Sequence, residues 1–135
     1  MAEKESDAAR EARQIAHAHT QREEGRWVGG IKVEDNPFSA KLVERYNEAA
    51  EDLRACPHLQ KNFDQPRFWV EAVPELLACK QCTPAVAREE QARANSCCVL
   101  CGSHAKLRGF TVASGPLVMR GGFCGDCEQR EGPQL

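Results

Sequence analysis

Seven of the eight cysteines in this chain fall into short pairs with ligand-like spacing: Cys56-Pro57-His58, Cys79-Lys80-Gln81-Cys82, Cys98-Val99-Leu100-Cys101 and Cys124-Gly125-Asp126-Cys127. Two residues between cysteines let one tight turn aim both sulfurs at a single ion about 2.3 Å from each, so a C-x2-C pair is half of a tetrahedral site. The last two pairs enclose KLRGFTV and LVM on either side of Ser114-Gly115-Pro116. That pattern predicts a hairpin clamped at its open end by Cys98, Cys101, Cys124 and Cys127. Gly102 and Gly125 fall where such turns demand a positive φ. The first two pairs make a second complete set, Cys56, His58, Cys79 and Cys82.

Soft thiolates in spaced pairs, with one imidazole, favour two zinc ions over an iron-sulfur cluster. A thioredoxin-like redox pair would need a βαβ pattern around it, and none is visible. The pairs could also be cross-braced, first with third and second with fourth. A helix between the middle pairs holds them apart and favours sequential pairing. Cys97 is one residue out of step with the C-x2-C spacing and reads as a free or buried thiol, or as a fallback ligand in place of His58. His104 faces a set whose four positions are filled, and is expected in solvent. His17 and His19 lie on different faces of any helix. A Cys97–His104 nucleophile lacks an orienting acid and an oxyanion site, so no catalytic residue is expected.

Residues 97–128 resemble the zinc-ribbon and treble-clef group of zinc fingers. The set Cys56-x-His58-x20-Cys79-x2-Cys82 is similar to treble clefs whose last two ligands open a helix, with C-x-H in place of the usual C-x2-C. The resemblance implies structural zinc and does not choose among nucleic-acid, protein and purely structural roles.

The elements that position these ligands are readable in outline. Asn36 and Pro37 form a helix start, and Phe38, Leu42, Tyr46, Ala49 and Leu53 recur on one face, which predicts a helix over 37–54. Thr83-Pro84 starts a second helix that ends at Asn95. RFWVEAV puts Phe68, Val70 and Ala72 on one face if extended. Phe68 and Trp69 read as core side chains in preference to a base-stacking platform. Residues 1–24 read as a charged tail or frayed helix with Ile15 as the lone large apolar side chain. An arm over 25–38 carries Trp27, Val28, Ile31 and Val33 around Gly29-Gly30. The resulting organisation is a tail over 1–24, an arm and amphipathic helix over 25–55, a first zinc module over 56–96 and a ribbon-like second module over 97–135. The fold class is a small zinc-stabilised α+β protein with short hairpins and a short helix.

Leu, Ile, Val and Phe together number 25 of 135 residues. So thin a core calls for staples, and a formal net charge of -2 is too small to suggest disorder instead. The N-terminus has no apolar signal segment, and no stretch is apolar enough to span a membrane. A reducing cytoplasm is therefore expected, where paired cysteines hold metal more often than disulfides. With both ions bound through thiolates the charge falls to about -5. Against that stands a small basic patch, Lys106, Arg108 and Arg120, with Arg88 and Arg93 on the preceding helix. The expected role is a non-enzymatic adaptor for a protein partner, with Trp27, Ile31 and Phe38 as contact candidates. No small-molecule substrate is expected. A nucleic-acid-binding or transcription-associated factor using the basic patch is the first alternative, and a thiol-redox switch on Cys97 the second.

Overall fold

The computed structural model describes residues 6–22, 37–104 and 106–131. Trp27, Val28, Ile31, Val33 and Asn36 lie outside the described residues, as do the side chains of His17 and His19. Helix α1 (Asp7–Arg22) is capped by Ser6, whose Oγ accepts the Ala9 N–H at 3.1 Å. Among its described side chains the buried ones are alanines: Ala8, Ala9, Ala12 and Ala16. Helix α2 (Pro37–Ala49) runs into a 3-10 turn at Ala50–Asp52, with Phe38 and Leu42 fully buried. The regular α-helix is thus shorter than the 37–54 span, but Tyr46, Ala49 and Leu53 still pack against the core.

Short elements then carry the first ligand set: β1 (Arg54–Ala55), α3 (Pro57–Lys61), β2 (Arg67–Val70), β3 (Leu76–Leu77) and α4 (Thr83–Arg93). A 3-10 turn, Lys80–Cys82, leads into α4. β1 pairs with β3 in parallel, and Phe68 bridges Ala78. α4 stops at Arg93 because Ala94 adopts φ 49 and donates its N–H to Glu90 O, a left-handed cap that ends the helix two residues before Asn95.

The C-terminal part is a knuckle, a hairpin and a helix. β4 (Leu107–Ser114) and β5 (Leu117–Cys124) pair antiparallel through Ser114↔Leu117 to Leu107↔Cys124, and α5 (Gly125–Glu131) follows directly. Gly115 turns the hairpin at φ 57 and Gly102 closes the knuckle at φ 75, as the sequence suggests. Gly125 does not take a positive φ; it opens α5 instead. The module is therefore not a plain ribbon-like hairpin, since Cys127 sits on a helix.

β2 adds to the hairpin in parallel with β5, giving the order β2-β5-β4. The register places Trp69 opposite Met119, on the face where Phe110, Val112 and Phe123 are buried with Phe38 and Leu42. Trp69 is 1 % exposed, its indole N–H donates to Pro74 O at 3.0 Å, and Tyr46 meets its ring edge-on at 5.4 Å. The buried side of RFWVEAV is thus that of Trp69 and not that of Phe68, Val70 and Ala72. The strand ends at Val70, and Glu71 onward is turn, so Ala72 never joins the alternation. α1 packs on β4 and β5. No helix among the described residues is long and apolar enough to cross a membrane.

Candidate metal centres

Two clusters of four donors emerge, Cys56, His58, Cys79, Cys82 and Cys98, Cys101, Cys124, Cys127. Within each, all ligand atoms lie within 4.8 Å of one another. The pairing is sequential, because the first and second pairs converge with each other and not with the third and fourth.

In the first cluster Cys56 is the residue before α3, Pro57 starts that helix and His58 follows one position later. Parallel pairing of β1 with β3 brings this start beside Cys79: Cys56 N–H donates to Leu77 O at 2.9 Å, and Cys79 N–H donates to Cys56 Sγ at 3.3 Å. Cys79 precedes the 3-10 turn into α4 and Cys82 closes it. The His58 Nδ1 atom stands 3.5 Å from Cys79 Sγ and 3.4 Å from Cys82 Sγ. For bonds of about 2.3 Å to sulfur and 2.0 Å to nitrogen, a tetrahedral ion requires an S···N edge of about 3.5 Å and an S···S edge of about 3.8 Å. The His58 distances match that edge, and Nδ1 is the nitrogen that faces inward.

In the second cluster the Cys98–Cys101 knuckle is tied to the hairpin: Cys98 N–H donates to Ser103 O at 2.8 Å, and Val99 N–H donates to Gly122 O at 2.8 Å. Cys124 closes β5 and Cys127 follows in the first turn of α5. Cys101 Sγ and Cys124 Sγ are 3.7 Å apart, a tetrahedral edge and far from a disulfide bond. Every described cysteine is a free thiol. Cys98, Cys124 and Cys127 are buried, and Cys101 is exposed.

The electrostatics divide the thiols within each cluster. Burial pushes Cys56 up, but hydrogen bonds from the Leu59 and Cys79 backbone and from the neighbouring thiols outweigh it and bring Cys56 down to about 7. Cys98 reaches about 7 for the same reason, with backbone donors at Cys101, Cys124 and Leu100. Burial and the neighbouring sulfurs push Cys82 up to about 11 and Cys127 up to about 12. Each cluster therefore sets a thiol that is pulled down beside one that is pushed up.

Cys97 belongs to neither cluster. Its thiol donates to Glu71 Oε1 at 3.8 Å, and burial together with the Glu71 carboxylate pushes it up, away from the thiolate that reactivity requires. Burial in turn raises the Glu71 carboxyl. This pairing joins residues 26 positions apart, and no local pattern in the sequence announces it. His104 is exposed and meets Ser96 O through Nδ1 at 2.9 Å. The three residues of the basic patch are not brought onto one face. Arg108 is opposite Phe123 and Arg120 opposite Thr111, and an odd spacing along β5 sends them to opposite sides of the sheet. Lys106, Arg108 and Arg130 instead border a depression beside Cys101 and Cys124. Arg130 donates to Cys127 Sγ at 3.5 Å, a contact the spacing of the cysteines does not suggest. Phe38, a proposed partner contact, is wholly buried against Phe110 and Phe123 and is unavailable for docking.

No protein-family model matches the chain, and no curated protein or solved structure matches it either.

Proposed function

We propose that this protein is a non-enzymatic, cytoplasmic zinc-binding module whose two structural ions fix a surface that docks another protein. The observation that carries this reading is that each cluster supplies four protein donors. Catalytic zinc keeps a position open for water or substrate, whereas structural zinc is closed by four side chains. Thiolate-rich donor sets with tetrahedral spacing suit zinc over the hard cations that prefer oxygen. The order knuckle, hairpin, helix around the second cluster resembles a treble clef, and the first cluster's last two donors lie at the start of a helix, which supports the reading.

Protein docking is favoured by an apolar groove of about 430 Å³ between α4 and the sheet, bordered by Phe68, Val70, Pro84, Val86, Ala87 and Val118. Phosphate binding needs clustered cations that are not already engaged. Here Arg93 is paired with Glu75 and Glu89, and Arg108 with Glu128 at 3.5 Å. The nucleic-acid reading keeps Lys106 and Arg108, and the redox reading keeps Cys97, as alternatives with less behind them.

Elemental analysis of purified protein tests the first half of the proposal: two zinc ions per chain are expected, and one or none from a folded sample overturns it. The second half is tested by Trp27→Ala against a Lys106→Ala, Arg108→Ala double change, both zinc-loaded. Loss of function with the tryptophan change supports protein docking. Loss only with the Lys106 and Arg108 pair, together with salt-sensitive binding to mixed DNA or RNA, replaces it. Zinc release on peroxide treatment that Cys97→Ser prevents would favour the redox switch.

A further inference from the structure

The four-cysteine cluster carries a formal charge of about -2 when its thiolates hold a dication, and three of its four residues are buried. Sulfurs withdrawn from water need donors from the protein. Cys98 has them in the backbone N–H groups of Leu100, Cys101 and Cys124. Cys127, 2 % exposed, is placed differently, in the first turn of α5, and the charged donor that reaches it is Arg130. Residues three apart on a helix share a face, so α5 itself aims that guanidinium back at Cys127. Of the three cations around the depression beside this cluster, Arg108 is held by Glu128, whose side chain is 13 % exposed. Arg130 is the one in contact with a ligand sulfur.

We infer that Arg130 is a positioning residue of the four-cysteine centre: its N–H···S contact and charge hold the Cys127 sulfur as a metal ligand and shield it from electrophiles and competing chelators. The inference rests on the reading of that cluster as a zinc site. Partners of metal ligands characteristically change metal affinity by about 10- to 100-fold when removed. The first cluster, with a neutral imidazole and less charge to offset, does not depend on Arg130.

The test uses the full-length, zinc-loaded chain with Arg130→Met, which keeps a long apolar stem, and Arg130→Lys, which restores the charge. Alkylation by N-ethylmaleimide is followed cysteine by cysteine by mass spectrometry, and the sulfur-to-metal charge-transfer band is read after cobalt substitution. Arg130→Met should speed alkylation of Cys127 by about tenfold, leave Cys56, Cys79 and Cys82 unchanged and move the cobalt band to lower energy. Arg130→Lys should recover part of both effects. Loaded protein in which Arg130→Met changes neither readout overturns the inference while leaving the zinc reading intact. Equal acceleration at all four cysteines of the centre, without rescue by lysine, reduces Arg130 to a packing role and also overturns it. A wild-type cluster that takes up no metal overturns both.

Discussion

Between Cys97 and Cys98 a single backbone step separates a thiol hydrogen-bonded to Glu71 from a member of the four-cysteine cluster, because neighbouring side chains on an extended segment point to opposite sides. Cys97→Ser should therefore retain both ions, whereas Cys98→Ser or Cys101→Ser should lose one, as measured by elemental analysis. Loss of an ion from Cys97→Ser would reassign the ligand set. The cluster cysteines themselves were legible because C-x2-C spacing is local; the contacts of Cys97 with Glu71 and of Cys127 with Arg130 were not, because those side chains meet sulfur only after the chain folds. The same residues set a pH dependence. Before an ion binds, Cys82 near 11 and Cys127 near 12 are protonated at neutral pH. Coordination needs their thiolates, so each loaded cluster releases at least one proton, and affinity rises with pH. Each released proton corresponds to a change in affinity of about tenfold per pH unit. Competition against a chelator from pH 6 to pH 8, corrected for the chelator's own protons, should show tighter binding at the alkaline end. A flat or inverted slope would contradict the ligand assignment.

Among the elements, α1 shows how a packing role can hide in composition. A helix that buries Ala8, Ala9, Ala12 and Ala16 presents a small-residue face to β4 and β5, with Ile15 half-buried beside them, so it offers little of the large apolar spacing that periodicity arguments count. The hairpin, α2 and α4 were legible because turn glycines, helix starts and apolar spacing are local signals. The parallel pairing of β2 with β5 was not, since it joins strands about fifty residues apart, and α5 is too short to show a period. Close packing at this level makes a specific demand at Gly121. A Cβ there would stand 3.0 Å from Leu42 Cδ1 and 3.1 Å from the Phe110 ring, inside the contact between α2 and the sheet. Gly121→Ala is expected to destabilise the zinc-loaded protein by about 1–3 kcal/mol through overpacking. Gly125→Ala, with nothing within 4 Å of the added methyl and a helical position to occupy, should be neutral or slightly stabilising. Urea unfolding of the two variants in parallel makes the comparison. A Gly121→Ala protein as stable as wild type would mean that α2 does not seat as closely on β5 as described.

At the scale of the molecule the two four-donor clusters are not strung on a linker; they share one core among the described residues. β2 lies in the loop between His58 and Cys79, so it belongs to the first centre by sequence, yet it pairs with β5, whose last residue is a ligand of the second. Buried Cys79, Cys98, Cys124 and Cys127 all join the cluster that holds Trp69, Phe110 and Phe123, with Cys56 and Cys82 packed against it. On the zinc reading, a core with so few large apolar residues draws on its metals: structural zinc in finger peptides is worth about 10–16 kcal/mol at neutral pH, comparable to the whole stability of a small domain. On that reading an ion at one centre would order the strand that the other centre leans on, and such coupling is reciprocal. Cys82→Ser, at a half-buried ligand that leaves the core volume intact, should therefore do more than empty its own centre. The ion that remains at the four-cysteine centre should transfer to a chelator about tenfold faster than from wild type, a size in the range of ordinary site-to-site coupling. Thermal unfolding followed by circular dichroism should stay a single transition at lower temperature. Independent modules would behave otherwise, with an unchanged release rate at the second centre and two separable melts, and that outcome would divide the molecule at the β2–β5 pairing.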